Sequence, residues 1–230
     1  MRGPVPTGRL RAGTGYMKTI FFDLDGTLTD PKLGITRSIQ YALERLGREV
    51  PQQDELTWCI GPPLHGSLVK LLGDNDLADR ALLLYRERFG EVGMFENAVY
   101  AGVETTLAAL ADGTRRLFVA TSKAHVYATR IIAHFRLDSY FEQVFGAELD
   151  GTRADKTELL KYAIDTTGID PAEALMIGDR SYDIVGARNN GLRAIGVLYG
   201  YGSRDELIEA GAHSLCASPD EIPAHTSRTP

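Results

Sequence analysis

A chain of 230 residues with 43% apolar side chains is long enough to bury one large core, or one core carrying an insertion. The formal charge of −6 argues against a nucleic-acid polymer or an acidic membrane surface as the main partner, because phosphate backbones are held by clustered Lys and Arg. Two distant cysteines, Cys59 and Cys216, without C-x-x-C spacing suggest neither a disulfide framework nor a zinc ribbon and fit a reducing cytoplasm, and no run approaches the roughly eighteen apolar residues that span a bilayer.

In chain order, residues 1–16 are rich in Gly, Pro and Arg, lack the apolar stretch of a signal peptide, and read as a mobile leader compatible with a start codon placed too early. The run "KTIFF" then ends abruptly at Asp23, which suits a buried strand whose C-terminal edge opens onto polar groups, and Gly26 permits a tight turn. Leu33, Ile35, Ile39, Ala42, Leu43 and Leu46 recur at helical spacing and predict a helix over 33–46, stopped at Gly47. Two more helical patterns, "PPLHGSLVKLL" and "LADRALLLYRERF", follow with no strong strand between them. Residues 31–96 are therefore expected to form an all-helical unit.

From Gly102 onward the pattern changes to helices alternating with short apolar runs, among them "RLFVATS", "QVFGAE", "ALMIGD" and "RAIGVLYG". That alternation implies an α/β protein with a doubly wound parallel sheet, built from 17–30 and 97–216 and interrupted by the helical insertion. Ligands of such sheets gather at the carboxyl ends of strands. Three predicted strands end there in functional groups, at Asp23, Thr121 and Asp179. The segment 217–230, with three prolines, reads as a tail that ends in disorder.

Asp23 and Asp25 stand two apart as the chain leaves the first strand, and Asp179 at the end of "MIGD" can converge on them. Neighbouring carboxylates repel one another, so the cluster is costly unless a cation or a phosphoryl group uses it. All-oxygen ligation suits Mg²⁺. The plainer alternative is a turn whose acids cap backbone amides, which accounts for one Asp more easily than for all of "DLDGTLTD". Thr121 and Ser122 lie between a strand and a helix expected to begin near Ala124. They can hold a phosphate oxygen or serve as an ordinary helix cap. Lys156 opens another helix and can neutralise a phosphorylated aspartate, although a lone lysine is usually a solvated one. Asp183, four residues after Asp179, suits support of a metal ligand as well as the start of a helix.

"FFDLDGTLTD", "FVATS", Lys156 and "GDRSYD" together stand in the order and spacing of the four motifs of the haloacid dehalogenase superfamily, over about Lys18 to Leu215. With "DGTLTD", the following helical insertion and the "GPPL" loop at Gly61–Leu64, the chain resembles the phosphoglycolate phosphatase branch, which also contains 5'-nucleotidase-like and pyrophosphatase-like members. The resemblance implies a Rossmann-like core with a helical cap and a Mg²⁺-dependent phosphatase. In it, Asp23 would be the nucleophile that forms an aspartyl-phosphate, and Asp25 the acid that protonates the leaving oxygen and then activates water. Thr121 and Lys156, with Gly26 and Ser122 beside them, would hold the phosphoryl group. Asp23, the backbone carbonyl of Asp25 and Asp179 would bind the metal, supported by Asp183.

The expected substrate is a small phosphorylated metabolite, nucleotide-like or phosphoglycolate-like, handled by a cytoplasmic monomer or homodimer. A sugar phosphomutase or pyrophosphatase on the same fold is the enzyme alternative, but no second phosphate site is evident in the cap. A phospho-accepting binding module is the non-enzyme alternative. Receiver domains share the sheet and the acidic cluster, yet lack a large helical insertion and a partner acid two residues beyond the acceptor. Substrate choice is expected to lie in the cap, with Arg37, Pro62, His65 and Lys70 as candidates.

Overall fold

The computed structural model describes residues 17–226, so the expected leader and the last four residues of the expected tail lie outside the described residues. Strand β1 (Thr19–Phe22) is followed by the short β2 (Thr29–Asp30) and by α1 (Lys32–Arg45), α2 (Leu64–Leu72) and α3 (Asn75–Glu91). The chain returns through β3 (Ala98–Val99), α4 (Val103–Leu110), β4 (Arg116–Ala124), α5 (His125–His134) and β5 (Gln143–Ala147). Helix α6 (Lys156–Thr167), β6 (Ala174–Gly178), α7 (Ser181–Asn189), β7 (Arg193–Val197), α8 (Arg204–Ala210), β8 (Ser214–Cys216) and α9 (Ile222–His225) complete the order.

Six strands form one sheet in the order β5-β4-β1-β6-β7-β8, each pairing parallel to its neighbours. β1 lies between β4 and β6, and all four of its residues are buried. Both faces are covered, which is why "TIFF" carries no polar alternation. Successive side chains still point to opposite sides. Ile20 and Phe22 join one core with Val119 and Ile177, whereas Phe21 joins the other with Phe118, Phe145 and Leu160. Phe21 stacks on Phe118 with centroids 5.3 Å apart. Each such buried ring contributes roughly 1.5–3 kcal/mol through apolar area removed from water.

The helices between β2 and β3 pack into a unit whose buried residues, including Ile39, Leu43, Leu68, Ala81 and Phe89, are continuous with the first of these cores. β2 and β3 pair antiparallel, Thr29 with Val99 and Asp30 with Ala98, so the chain enters and leaves the cap side by side. Helix α1 presents Ile35, Ile39, Ala42 and Leu43 inward, but Leu33, placed on that stripe by its spacing, is 45% exposed.

The expected tail is described as far as residue 226, and its last four residues, where disorder is expected, lie outside the described residues. Residues 217–226 are packed rather than loose: Thr106 Oγ1 donates to the Pro219 carbonyl at 2.8 Å, Ile222 is buried, and the Met17 amide donates to the Thr226 carbonyl at 2.9 Å. Pro219 and Pro223 lie in the first turns of short helical segments, where a missing amide hydrogen costs nothing. Among the described residues no helix is long and apolar enough to cross a membrane.

Candidate active site

The site grows out of β1. Its ladder continues one residue past the strand, the Asp23 amide donating to the Ile177 carbonyl at 2.9 Å, and the chain then turns sharply. Leu28 and Thr29 both donate to the Leu24 carbonyl, and Gly26 adopts φ +82°. A Cβ on Gly26 would sit 2.2 Å from Asp179 Oδ2, so glycine lets this turn close against the end of β6. The contribution of Gly26 seen here is thus close approach to Asp179.

Asp23, Asp179 and Asp183 offer carboxylate oxygens that all lie within 4.8 Å of one another, and all three residues are buried. Lys156, the first residue of α6, extends its side chain among them. Its Nζ lies 3.0 Å from Asp23 Oδ1, 2.7 Å from Asp183 Oδ1 and 2.8 Å from the Ala120 carbonyl. A side chain only 3% exposed is no solvated surface lysine. α7 comes this close because residue 186 is glycine: a Cβ there would meet Lys156 Cγ at 2.8 Å.

Thr121 is buried near the carboxyl end of β4, where the pairing with β5 shifts register between Thr121 and Ala124. The strand runs to Ala124 and α5 begins at His125, with no side-chain cap. Thr121 and Ser122 are therefore not spent on capping, and both line the cavity beneath the cap. The irregularity accompanies a feature the sequence reading missed. Lys123 Nζ pairs with Asp25 Oδ2 at 2.6 Å, its side chain 7% exposed, and lies 4.5 Å from the Phe89 ring centroid of the cap. Strand bulges re-aim side chains in this way.

Asp23, Asp25, Thr121, Lys156, Asp179 and Asp183 are thus brought together at the carboxyl ends of β1, β4 and β6. The carboxylate of Asp25 turns toward Lys123, while that of Asp183 stands with Asp23 and Asp179. Pro62 and His65 line the cavity. Arg37 and Lys70 do not reach it. Arg37 pairs with Glu96 at 2.7 Å, and Lys70 lies over the Trp58 ring. The cavity wall that sequence reasoning passed over includes Leu82, Tyr85, Arg86 and Phe89 of α3 and Tyr127 of α5.

Burial dominates the electrostatics. Asp179 is pushed well above the usual carboxylate range, first by burial and then by the charges of Asp183 and Asp23, against the opposing hydrogen bond from the Tyr201 amide. Asp183 is raised by burial, with Lys156 opposing. Asp25 is raised by burial, with Lys123 opposing. For Lys156, burial acts to lower the value, but Asp183 and Asp23 together carry it above the ordinary lysine range. The Tyr201 amide donates to Asp179 Oδ2 at 2.8 Å, whereas Asp179 Oδ1 is buried with no hydrogen-bond partner among the described residues. An orphaned oxygen beside two further carboxylates is a donor set for a hard divalent cation, and the residues present fit Mg²⁺.

With its folded value raised, Asp179 contributes no penalty below about pH 4, where both states are protonated, and destabilises the fold as pH rises through the folded value. Asp179→Asn should therefore raise the unfolding temperature of the Mg²⁺-free protein by a few degrees at neutral pH, with the gain vanishing in acid. It should also shrink the stabilisation that added Mg²⁺ gives. Thermal melts at several pH values, with and without Mg²⁺, check this; an unchanged response to Mg²⁺ would remove Asp179 from the ligand set.

A doubly wound sheet with an aspartate-lysine-threonine cluster at its strand ends, under a helical cap, defines an enzyme that handles phosphoryl groups. Residues 20–197 match the family of haloacid dehalogenase-like hydrolases. The chain belongs to that family, and it is a phosphatase. It is 49% identical over 199 residues to a 5'-nucleotidase of Pseudomonas aeruginosa, covering 86% of this chain and 90% of that protein. It is 39% identical over 186 residues to the tyrosine-protein kinase PtkA of Mycobacterium tuberculosis, covering 81% of this chain and 64% of that protein. A crystal structure of a predicted phosphatase from Clostridium acetobutylicum superposes with a TM-score of 0.88 at 42% identity, covering 92% of this chain and 98% of that one.

Proposed function

We propose that the protein is a Mg²⁺-dependent phosphomonoesterase whose substrates are nucleoside monophosphates, with Asp23 as nucleophile and Asp25 as acid and then base. The observation that carries this reading is one cavity of about 750 Å³ that holds Asp23, Asp25 and Thr121 at its floor and Tyr85, Phe89, Tyr127 and Leu82 on its wall. That volume is typical of sites for drug-sized ligands. A two-carbon acid such as phosphoglycolate leaves most of it unfilled and makes no use of the aromatic wall, whereas a base and ribose occupy both. The likeness to a 5'-nucleotidase supports the same choice.

The steps follow from the residues. A carboxylate oxygen of Asp23 attacks phosphorus, the bond from phosphorus to the ester oxygen breaks, and that oxygen takes a proton from Asp25. Burial, which raises Asp25, favours the protonated form this step needs. Asp25, now ionised, takes a proton from water, whose oxygen attacks phosphorus and breaks the bond to Asp23. Lys156 and Thr121 hold the phosphoryl oxygens and offset their charge, and Lys156 also keeps the nucleophile in place through its contact with Asp23. Mg²⁺, held by Asp23 and Asp179 with Asp183 beside them, supplies further charge neutralisation when bound.

Comparing kcat/KM across nucleoside monophosphates, phosphoglycolate, sugar phosphates and pyrophosphate tests the substrate. Nucleoside monophosphates should rank first. A preference for phosphoglycolate or pyrophosphate would contradict the reading of the cavity.

A further inference from the structure

Arg180 belongs to the core, directly after Asp179, yet its side chain leaves the catalytic centre and crosses to the cap. Its guanidinium donates from Nη1 to the Ile60 carbonyl at 2.6 Å and from Nε to Glu206 Oε1 at 3.0 Å. Glu206 in turn accepts the Ser181 amide at 2.8 Å, so the carboxylate that aims the arginine is itself fixed to the start of α7. The Arg180 amide donates to Asp183 Oδ2 at 3.1 Å, which anchors the backbone end. On the cap side, Gly61 has φ +102°, and a Cβ there would lie 2.7 Å from Arg180 Cγ. The side chain therefore rests flat on the loop backbone, in a space that only glycine leaves open.

We propose that Arg180 is a positioning residue that clamps the cap loop Ile60–Pro63 onto the core and thereby fixes one wall of the leaving-group cavity. Gly61, Pro62, Pro63, Leu64 and His65, immediately after the clamped carbonyl, all line that cavity. Two consecutive prolines stiffen the loop, so a displacement at Ile60 is passed on rather than absorbed. A charge-assisted bond to a carbonyl, oriented by a second carboxylate, gives the guanidinium fork a fixed direction that an ammonium lacks. The clamp touches neither the phosphoryl site nor the reacting atoms. It acts on how well the leaving group is held, and in that respect it rests on the phosphomonoesterase reading above.

Trp58 is the chain's single tryptophan and stands two residues before Ile60, so it reports on this loop without any substrate. Arg180→Met should increase acrylamide quenching of Trp58. It should also raise KM for a nucleoside monophosphate about tenfold, the size expected for losing one charge-assisted hydrogen bond. kcat and the inhibition constant of inorganic phosphate, which fills only the phosphoryl site, should stay near wild type. Arg180→Lys should fall between, because an ammonium cannot hold both partners in the fork geometry. Unchanged quenching and KM would overturn the clamp. So would equal weakening of phosphate and ester, since Arg180 would then be acting through Asp183 and α7. If the wild-type protein hydrolyses no nucleoside monophosphate, the substrate reading fails, and the quenching result alone then upholds or overturns the clamp.

Discussion

Asp23→Asn should reduce turnover by about 10⁴-fold or more while the protein stays folded, because an amide of nearly the same size is neither a competent nucleophile nor an anion. The expectation of an intact fold is specific to this site. Lys156 keeps its 2.7 Å contact with Asp183 and its 2.8 Å bond to the Ala120 carbonyl when the charge on Asp23 is removed. The substitution also relieves repulsion in a cluster where four buried carboxylates, Asp23, Asp25, Asp179 and Asp183, face the ammonium groups of Lys123 and Lys156. The variant's unfolding temperature should thus be no lower than that of the wild type in the absence of Mg²⁺. Residual turnover within a few-fold of wild type in a folded sample would sink the nucleophile assignment.

Asp25→Asn should separate the two chemical steps. Loss of general acid-base help typically costs about 10²- to 10⁴-fold, and the loss should depend on the leaving group. p-Nitrophenolate leaves with little protonation, so Asp23 can still attack p-nitrophenyl phosphate. The asparagine cannot then take a proton from water, and the enzyme should stall after about one equivalent with phosphate on Asp23. Alkyl and nucleoside phosphates, whose leaving oxygens need the proton, should react far more slowly. Lys123 loses the charge of its 2.6 Å partner in this variant but remains close to Phe89, so the cavity wall is kept. If both ester classes slow by the same factor and no phosphoenzyme accumulates, the acid-base role of Asp25 must be given up.

The features legible in the sequence are those written as local pattern. An apolar run that stops at an acid marks a buried strand opening onto a ligand, and this was readable at Phe22–Asp23 and at Gly178–Asp179. The alternation after Gly102 placed the parallel sheet, and the helical periodicity of Ile35, Ile39, Ala42 and Leu43 placed α1. What escaped depends on pairings distant in sequence. Arg37 and Lys70 look like any other cation on a helix. Whether such a side chain reaches the cavity or turns away is decided by Glu96 and Trp58, and no spacing rule links them. Lys123 was hidden by a bulge that breaks strand alternation, and its partner Asp25 lies 98 positions earlier. Lys156 is the converse case. Its lysine identity favoured solvent, and only α7, brought close by Gly186, and the acids of β1 and α7 make its burial affordable.

Trapping the intermediate tests the central claim most directly. Wild-type protein mixed with Mg²⁺ and a nucleoside monophosphate would be quenched in acid within the first turnovers, treated with borohydride, and peptide-mapped by mass spectrometry, with free phosphate measured over the same time course. An acyl phosphate is reduced to the alcohol, so Asp23, and no other residue, should appear as homoserine while inorganic phosphate accumulates to many equivalents per enzyme. Reduction at another carboxylate, phosphate found instead on a hydroxyl or lysine, or release that stops at one equivalent would contradict the account.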